Sequence, residues 1–133
     1  AGAVERMVHE EGHRDVLFVE GQGALGHPAY SGVTLSILHG SQPDALVLVH
    51  AAGRETVHGF EDYPLPPAAA YADLYERVAA PVQETTVAAG ALNTRSMDGD
   101  AAREAVDAYG ERLGRPATDP VRFDAGEILD SLL

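Results

Sequence analysis

The 133-residue chain has no cysteine, which excludes disulfides and thiolate metal sites. It has no lysine either; all nine basic residues are arginine. A phosphate-binding loop of the type G-x-x-x-x-G-K-S/T therefore cannot lie within it. No G-x-S-x-G elbow is present, so a serine-hydrolase reading has no support. Long apolar runs are also missing, and nothing approaches the ~20 residues of a membrane span. Ala1–Val8 has no basic start and no extended apolar stretch, so no secretory signal is expected. Together these absences lead us to expect a cytoplasmic protein with no membrane partner.

What is there is acidic. Twenty-one acids against nine bases give a net charge of −12. Such a field repels phosphate backbones, so general nucleic-acid binding is not expected. Two origins fit an acid-rich, lysine-free chain: a halophilic, high-salt cytoplasm, or a GC-rich genome favouring Arg, Ala, Gly and Asp codons. The hydrophobic fraction of 45% is enough for a core. The length suits residues 1–133 as a single α/β domain. The chain opens on Ala1 and enters a helical pattern at once, as part of a longer polypeptide would.

Periodicity predicts a helix over Ala1–Glu11, with Val4, Met7 and Val8 on one face and Gly12 as its stop. Asp15–Glu20 (DVLFVE) reads as a strand buried on both faces. A glycine-rich loop follows over Gly21–His27, then a helix over Ala29–His39 with Pro28 in its first turn and Gly40 as its stop. Asp44–His50 is a second buried strand, and Ala51–Pro67 a long polar loop with Pro64, Pro66 and Pro67. Ala68–Ala80 is a helix presenting Tyr71, Leu74, Tyr75 and Val78. Thr86–Asn93 is a third strand, and Asp98 caps a helix to about Leu113 with Ala102, Ala105, Val106 and Tyr109 inward. Pro120–Phe123 reads as a short strand and Ala125–Leu133 as a closing helix. Alternating strands and helices predict a three-layer α/β fold, its mostly parallel sheet covered on both faces. Ligands bind such sheets beyond the strands' carboxyl ends, here Glu20–His27, His50–Arg54 and Asn93–Arg95.

Three motifs compete in the first half. His9-Glu10-Glu11-Gly12-His13 matches the zinc pattern H-E-x-x-H, which needs both histidines on one helical face. Gly12 interrupts that face, so no zinc is expected. Gly21-Gln22-Gly23-Ala24-Leu25-Gly26 matches G-x-G-x-x-G, the fingerprint of NAD-type dinucleotide sites. Against it, Glu20 would oppose a pyrophosphate, His50 stands where an acid should meet the ribose, and Pro28 delays the helix. A third reading makes Glu20 the functional group, a carboxylate offered to magnesium or its bound water, with Gly21 and Gly23 leaving room for ligand. The bland alternative is that Glu20 caps a loop and the glycines only turn it. His27, His50 and His58 lie at loop edges, where they can bind a carboxylate or move protons. His39 reads as a packed or capping residue.

The stretch Val19–Gly32 (VEGQGALGHPAYSG) resembles the signature of a P-loop NTPase-fold family long carried as a domain of unknown function, and within it the D-glutamate N-acetyltransferase group. Leu38–Leu48, Gly53-Arg54, Tyr63–Pro67, Ala91–Thr94 and Ala117–Phe123 extend the resemblance over nearly the whole chain. The fold is also similar to that of dethiobiotin synthetase and its relatives. There a strand ending in V-E-G-x-G supplies a glutamate near magnesium, and an asparagine after a late strand recognises a purine. The resemblance implies that this is the C-terminal part of a P-loop NTPase-like domain, incomplete at its N-terminus.

On that resemblance the chain is expected to belong to an enzyme that acylates an amino-acid amine. Glu20 and His27 would be catalytic, with Glu20 the magnesium ligand. Gly21, Gln22, Gly23 and Asn93 would bind cofactor. His50, Arg54 and Arg95 would meet a small-molecule substrate. Magnesium with ATP, and acetyl-CoA as acyl donor, are the implied small molecules. The implied partners are a second copy of the chain or the N-terminal remainder of the same protein. A nucleotide-sensing module without chemistry of its own, or a remnant whose loops only connect elements, remain alternatives.

Overall fold

The computed structural model describes residues 1–22 and 24–133. They form two compact units, Ala1–Asp44 with Tyr75–Thr85 and Ala45–Leu74 with Thr86–Leu133. Among the described residues no helix is long and apolar enough to cross a membrane.

The first unit is a helix pair. α1, Gly2–Glu11, half-buries Val4 and Val8 but leaves Met7 66% exposed, so its apolar stripe is narrower than the spacing predicts. Gly12 follows as its C-cap, as expected. α2 spans Ser31–Ser41, two residues later than expected. The delay has a local cause: Pro28 lies in a turn in which the Tyr30 and Ser31 N–H groups both donate to the His27 carbonyl. Gly40 does not stop α2. It lies inside the helix, where a Cβ would come within 2.5 Å of the Ala1 carbonyl oxygen and 2.9 Å of Val4 Cβ. The missing side chain is what lets α1 lie against α2; the helix ends instead at Gln42, in the left-handed region at φ 48°.

The strand expected over Asp15–Glu20 does not form. These residues have irregular backbone and are all exposed, Phe18 by 78%. A buried-strand pattern states what a sequence is built to pair with, and no described strand lies in register with it.

The second unit carries the parallel sheet. β1, Ala45–Ala51, and β4, Thr86–Asn93, pair in parallel, and β4 pairs in parallel with β5, Ala117–Thr118. The order is β1-β4-β5, so the third strand is β5; Pro120–Phe123, expected to be strand, is turn. Between β1 and β4 the supposed long loop contains an antiparallel hairpin, β2 (Thr56–Val57) and β3 (Phe60–Pro64). Pro64 can end β3 because an edge position needs no donor. α3 covers Ala68–Ala79, contributing Ala68–Leu74 to this unit and Tyr75–Ala79 to the first. Leu74, expected on one face with Tyr71, Tyr75 and Val78, is 37% exposed.

α4, Gly99–Leu113, begins at Asp98, whose Oδ1 accepts from Ala101 N–H at 3.0 Å, and ends at Gly114 with φ 70°. It buries Ala102, Val106, Tyr109 and Leu113. α5, Gly126–Asp130, closes the unit and buries Ile128. The fold is thus α/β, with a parallel three-stranded sheet packed by helices.

Small residues in β4 set how closely α4 can approach. A Cβ on Gly90 would lie 2.7 Å from Tyr109 Cε1 and 2.8 Å from Leu113 Cδ2. Gly90→Ala should therefore lower the unfolding free energy by about 1–3 kcal/mol, the usual cost of overpacking. Gly99→Ala, where a Cβ meets nothing within 4 Å, should be neutral or slightly stabilising. Urea denaturation of the two variants separates these outcomes.

Candidate functional site

In the first unit, Glu20, Gly21 and Gln22 are exposed, and Gly23 lies outside the described residues. Glu20 is therefore not held on a strand tip, as expected, but on irregular chain. The loop after it is anchored. Thr34 Oγ1 donates to the Gln22 carbonyl at 2.5 Å, and Leu25 N–H donates to Tyr75 Oη at 3.3 Å. His27 lies 4.5 Å from the Tyr30 ring, and its Nδ1 accepts from Ala29 N–H at 3.1 Å. That bond assigns the proton of the neutral ring to Nε2. His39 is a packed residue, bonded through Nε2 to the Val78 carbonyl at 2.7 Å.

The geometry bears on each motif. G-x-G-x-x-G follows no strand, and α2 starts only at Ser31, so the dinucleotide fingerprint lacks its strand–turn–helix frame. α1 ends at Glu11, leaving His13 beyond the helix that carries His9. Among the described residues no three His, Asp or Glu side chains converge to hold a metal. Glu20 is the one acid between Asp15 and Asp44. A magnesium ion there would have a single carboxylate from this loop, with water and phosphate oxygens completing its shell.

In the second unit the register brings the other candidates together. Ala51 pairs with Asn93, and Ala52 N–H extends the ladder to the Asn93 carbonyl at 3.0 Å. The chain leaves β1 and β4 side by side at the sheet's carboxyl edge. Gly53, at φ 76°, turns the first exit, and Arg54 N–H closes that turn on the Ala51 carbonyl. Asn93 Oδ1 accepts from Arg95 N–H at 3.1 Å, which leaves its amide NH₂ to donate elsewhere. A shallow cleft of about 520 Å³ opens here, lined by Gly53, Arg54, Asn93, Arg95 and Ser96.

Two residues that sequence reasoning passed over fix this edge. Thr94, fully buried, donates to Asp119 Oδ2 through its N–H at 3.0 Å and through Oγ1 at 2.6 Å. Asp119 Oδ1 accepts from Val121 N–H at 3.0 Å. Burial pushes the Asp119 carboxyl upward, but hydrogen bonds from Thr94, Val121 and Arg122 outweigh it and hold the group below its ordinary value. The signal available was that Thr94 and Asp119 fall in the stretches Ala91–Thr94 and Ala117–Phe123 that carry the family resemblance.

His50 sits half-buried near the end of β1, its ring stacked 5.8 Å from that of Tyr109. The Tyr109 hydroxyl donates to the Leu48 carbonyl at 3.0 Å, and burial pushes its pKa up to about 12. Burial first, then the charges of Arg54 and Arg112, hold the His50 imidazole below its ordinary value of 6.5, against a backbone hydrogen bond with Arg54 that acts the other way. The unfolded chain thus binds this proton at higher pH than the folded one. The stability contributed by neutral His50 is present above pH 6.5 and is lost as pH falls from there through the lower folded value. Melting temperature should accordingly decline on acidification below about pH 6.5, and less steeply in His50→Gln. The Asp119 contribution should fade separately, below about pH 4.

The family model described as "Domain of unknown function (DUF1611_C) P-loop domain" matches residues 1–129. A protein of Tritonibacter scottomollicae named D-glutamate N-acetyltransferase is 35% identical across 99% of this chain and 40% of its own length. A Pseudoalteromonas protein of the same name is 36% identical, with the same shares covered. The crystal structure of a DUF1611 family protein from Anabaena variabilis superposes with a TM-score of 0.93 at 43% identity, over 98% of this chain and 39% of that one. The chain thus spans about two-fifths of the length of these relatives. Its sequence match over residues 1–129 and its near-complete superposition agree: the chain belongs to the DUF1611 family, as its P-loop domain.

Proposed function

We propose that this chain is the anion-receiving part of an amino-acid N-acetyltransferase, with D-glutamate as acceptor and acetyl-CoA as donor. The observation that carries the reading is the cleft at the tips of β1 and β4. In a chain of net charge −12 it is lined by two arginines, Arg54 and Arg95, and by no acid. Guanidinium groups match carboxylates and phosphates in fork geometry, and both ligands carry such groups. The named activity of the relatives supplies the reaction class.

In the reaction the acceptor amine attacks the thioester carbonyl. An N–C bond forms, the C–S bond breaks, and the coenzyme leaves as the thiol with a proton originating from the amine. Glu20 or His27 would take that proton or orient the amine, Asn93 would donate its amide NH₂ to a purine ring, and Arg54 and Arg95 would hold anionic groups. The transfer as written consumes no ATP; ATP with magnesium would contribute binding energy, and Glu20 is the carboxylate proposed for the ion. A lysine-free chain offers no P-loop lysine for phosphates, so nucleotide binding would draw on residues outside these 133.

The P-loop description of the family favours one second reading, a nucleotide-sensing module. Full-length protein should consume acetyl-CoA only when D-glutamate is present. Glu20→Gln should melt close to wild type while losing about 10²–10³ of that rate, the usual cost of an electrostatic contact at the reacting centre. Nucleotide binding with no acetyl transfer would replace the enzyme by the sensor. An unchanged rate with a lowered melting temperature would make Glu20 architectural.

A further inference from the structure

A second, more enclosed pocket of about 470 Å³ shares Arg54 with the cleft at the tips of β1 and β4 and is bounded by β1, the chain leaving β3, the start of α3, and α4. Its floor is apolar, with Leu48, Leu92 and Tyr109 at 9%, 2% and 2% exposure. His50 stands above that floor, on the same face of β1 as Leu48 by the two-residue period. Two exposed arginines reach the pocket from different elements, Arg54 from the turn after β1 and Arg112 from α4, one turn beyond Tyr109. Glu55 is the acid that lines it.

The arginines lack the partners that so acidic a chain could have given them. Among the described residues the ion pairs are Arg6–Glu10 and Arg14–Glu11; neither Arg54 nor Arg112 joins one, with Glu55 or with any other acid. Both guanidinium groups act on the same His50 ring, so their fields meet in this space. Two cations over an apolar floor suit a ligand with two anionic ends and a short carbon spacer. A phosphate carries its charge on one centre and would not use the floor.

We propose that this pocket binds a small dicarboxylate, one carboxylate on Arg54 and the other on Arg112, with its methylene spacer over Leu48, Leu92 and Tyr109. Naming that dicarboxylate as the acetyl acceptor rests on the acetyltransferase reading; the binding itself does not.

The test uses the full-length protein and glutarate, which has two carboxylates and no amine to acylate. Titration calorimetry should show saturable binding, weakened about tenfold or more in Arg112→Gln and in Arg54→Gln, as loss of a charged hydrogen bond predicts. Arg77→Gln, on α3 and outside the pocket, should bind as wild type, and all variants should melt near it. No glutarate binding, or wild-type affinity in a folded Arg112→Gln, overturns the pocket. So does competition by ATP together with loss of ATP binding in Arg112→Gln, which would make it a nucleotide site. The two readings separate in turnover. Glutarate binding through Arg112 without acetylation of D-glutamate leaves the pocket and removes the enzyme. Acetylation with an unchanged KM for D-glutamate in Arg112→Gln leaves the enzyme and overturns the naming of this pocket as the acceptor's.

Discussion

The parallel ladder between β1 and β4 is the constraint on which the second unit depends. It pairs Ala51 with Asn93, and that pairing decides which side chains leave the sheet together. β4 has a neighbour on each edge and is buried along most of its length. Its composition answers both demands. Val87 and Leu92 supply apolar area, while Gly90 keeps the surface low enough for the Tyr109 ring to lie against it. Tyr109 then returns the contact to β1 through its hydroxyl on the Leu48 carbonyl. One helix residue thus links the packing of the middle strand to the strand that carries His50.

The carboxyl edge of the sheet is stiff for a different reason. A parallel strand end leaves backbone groups that no ladder satisfies, and these are usually met by water or by a loop. Here Asp119 meets two donors from buried Thr94, and the Arg122 guanidinium reaches the Met97 carbonyl at 2.8 Å. The turn that carries Asn93 and Arg95 is thereby tied to the segment after β5. Arginines placed on such a frame lose less conformational freedom on meeting an anion than arginines on a loose loop would. The acid-rich remainder of the surface sharpens the contrast, because a cationic mouth in a negative field is locally selective for where an anion can settle.

Much of this was legible in the sequence, and what was not has identifiable causes. β4 and the Asp98 cap could be read because each is a local signal: a short apolar run between turns, and a carboxylate before a helical period. His50, Arg54, Asn93 and Arg95 could be proposed because they follow apolar runs, and in a parallel sheet that places them at one edge. The hairpin β2–β3 was hidden by polar residues and prolines that mimic a loop. Gly40 was misread because a helix stop and a close helix crossing call for the same residue. Arg112 has no local signature; it matters through what lies across from it, which periodicity does not report. The apolar run before Glu20 was read as a buried strand and does not form one, because pairing needs a partner that the run itself cannot specify.

That run has a consequence of its own. Val16–Val19 is an exposed apolar segment of irregular backbone, off any ladder among the described residues, and such a segment has little stability of its own. Its order becomes a linkage property, growing with the logarithm of how strongly, and at what effective concentration, a complementary strand is presented. A strand tethered in the same polypeptide acts at millimolar-like effective concentration, whereas a free one must be supplied. Glu20 terminates this segment, so its carboxylate is tethered from one side only, by the Thr34 contact to the Gln22 carbonyl.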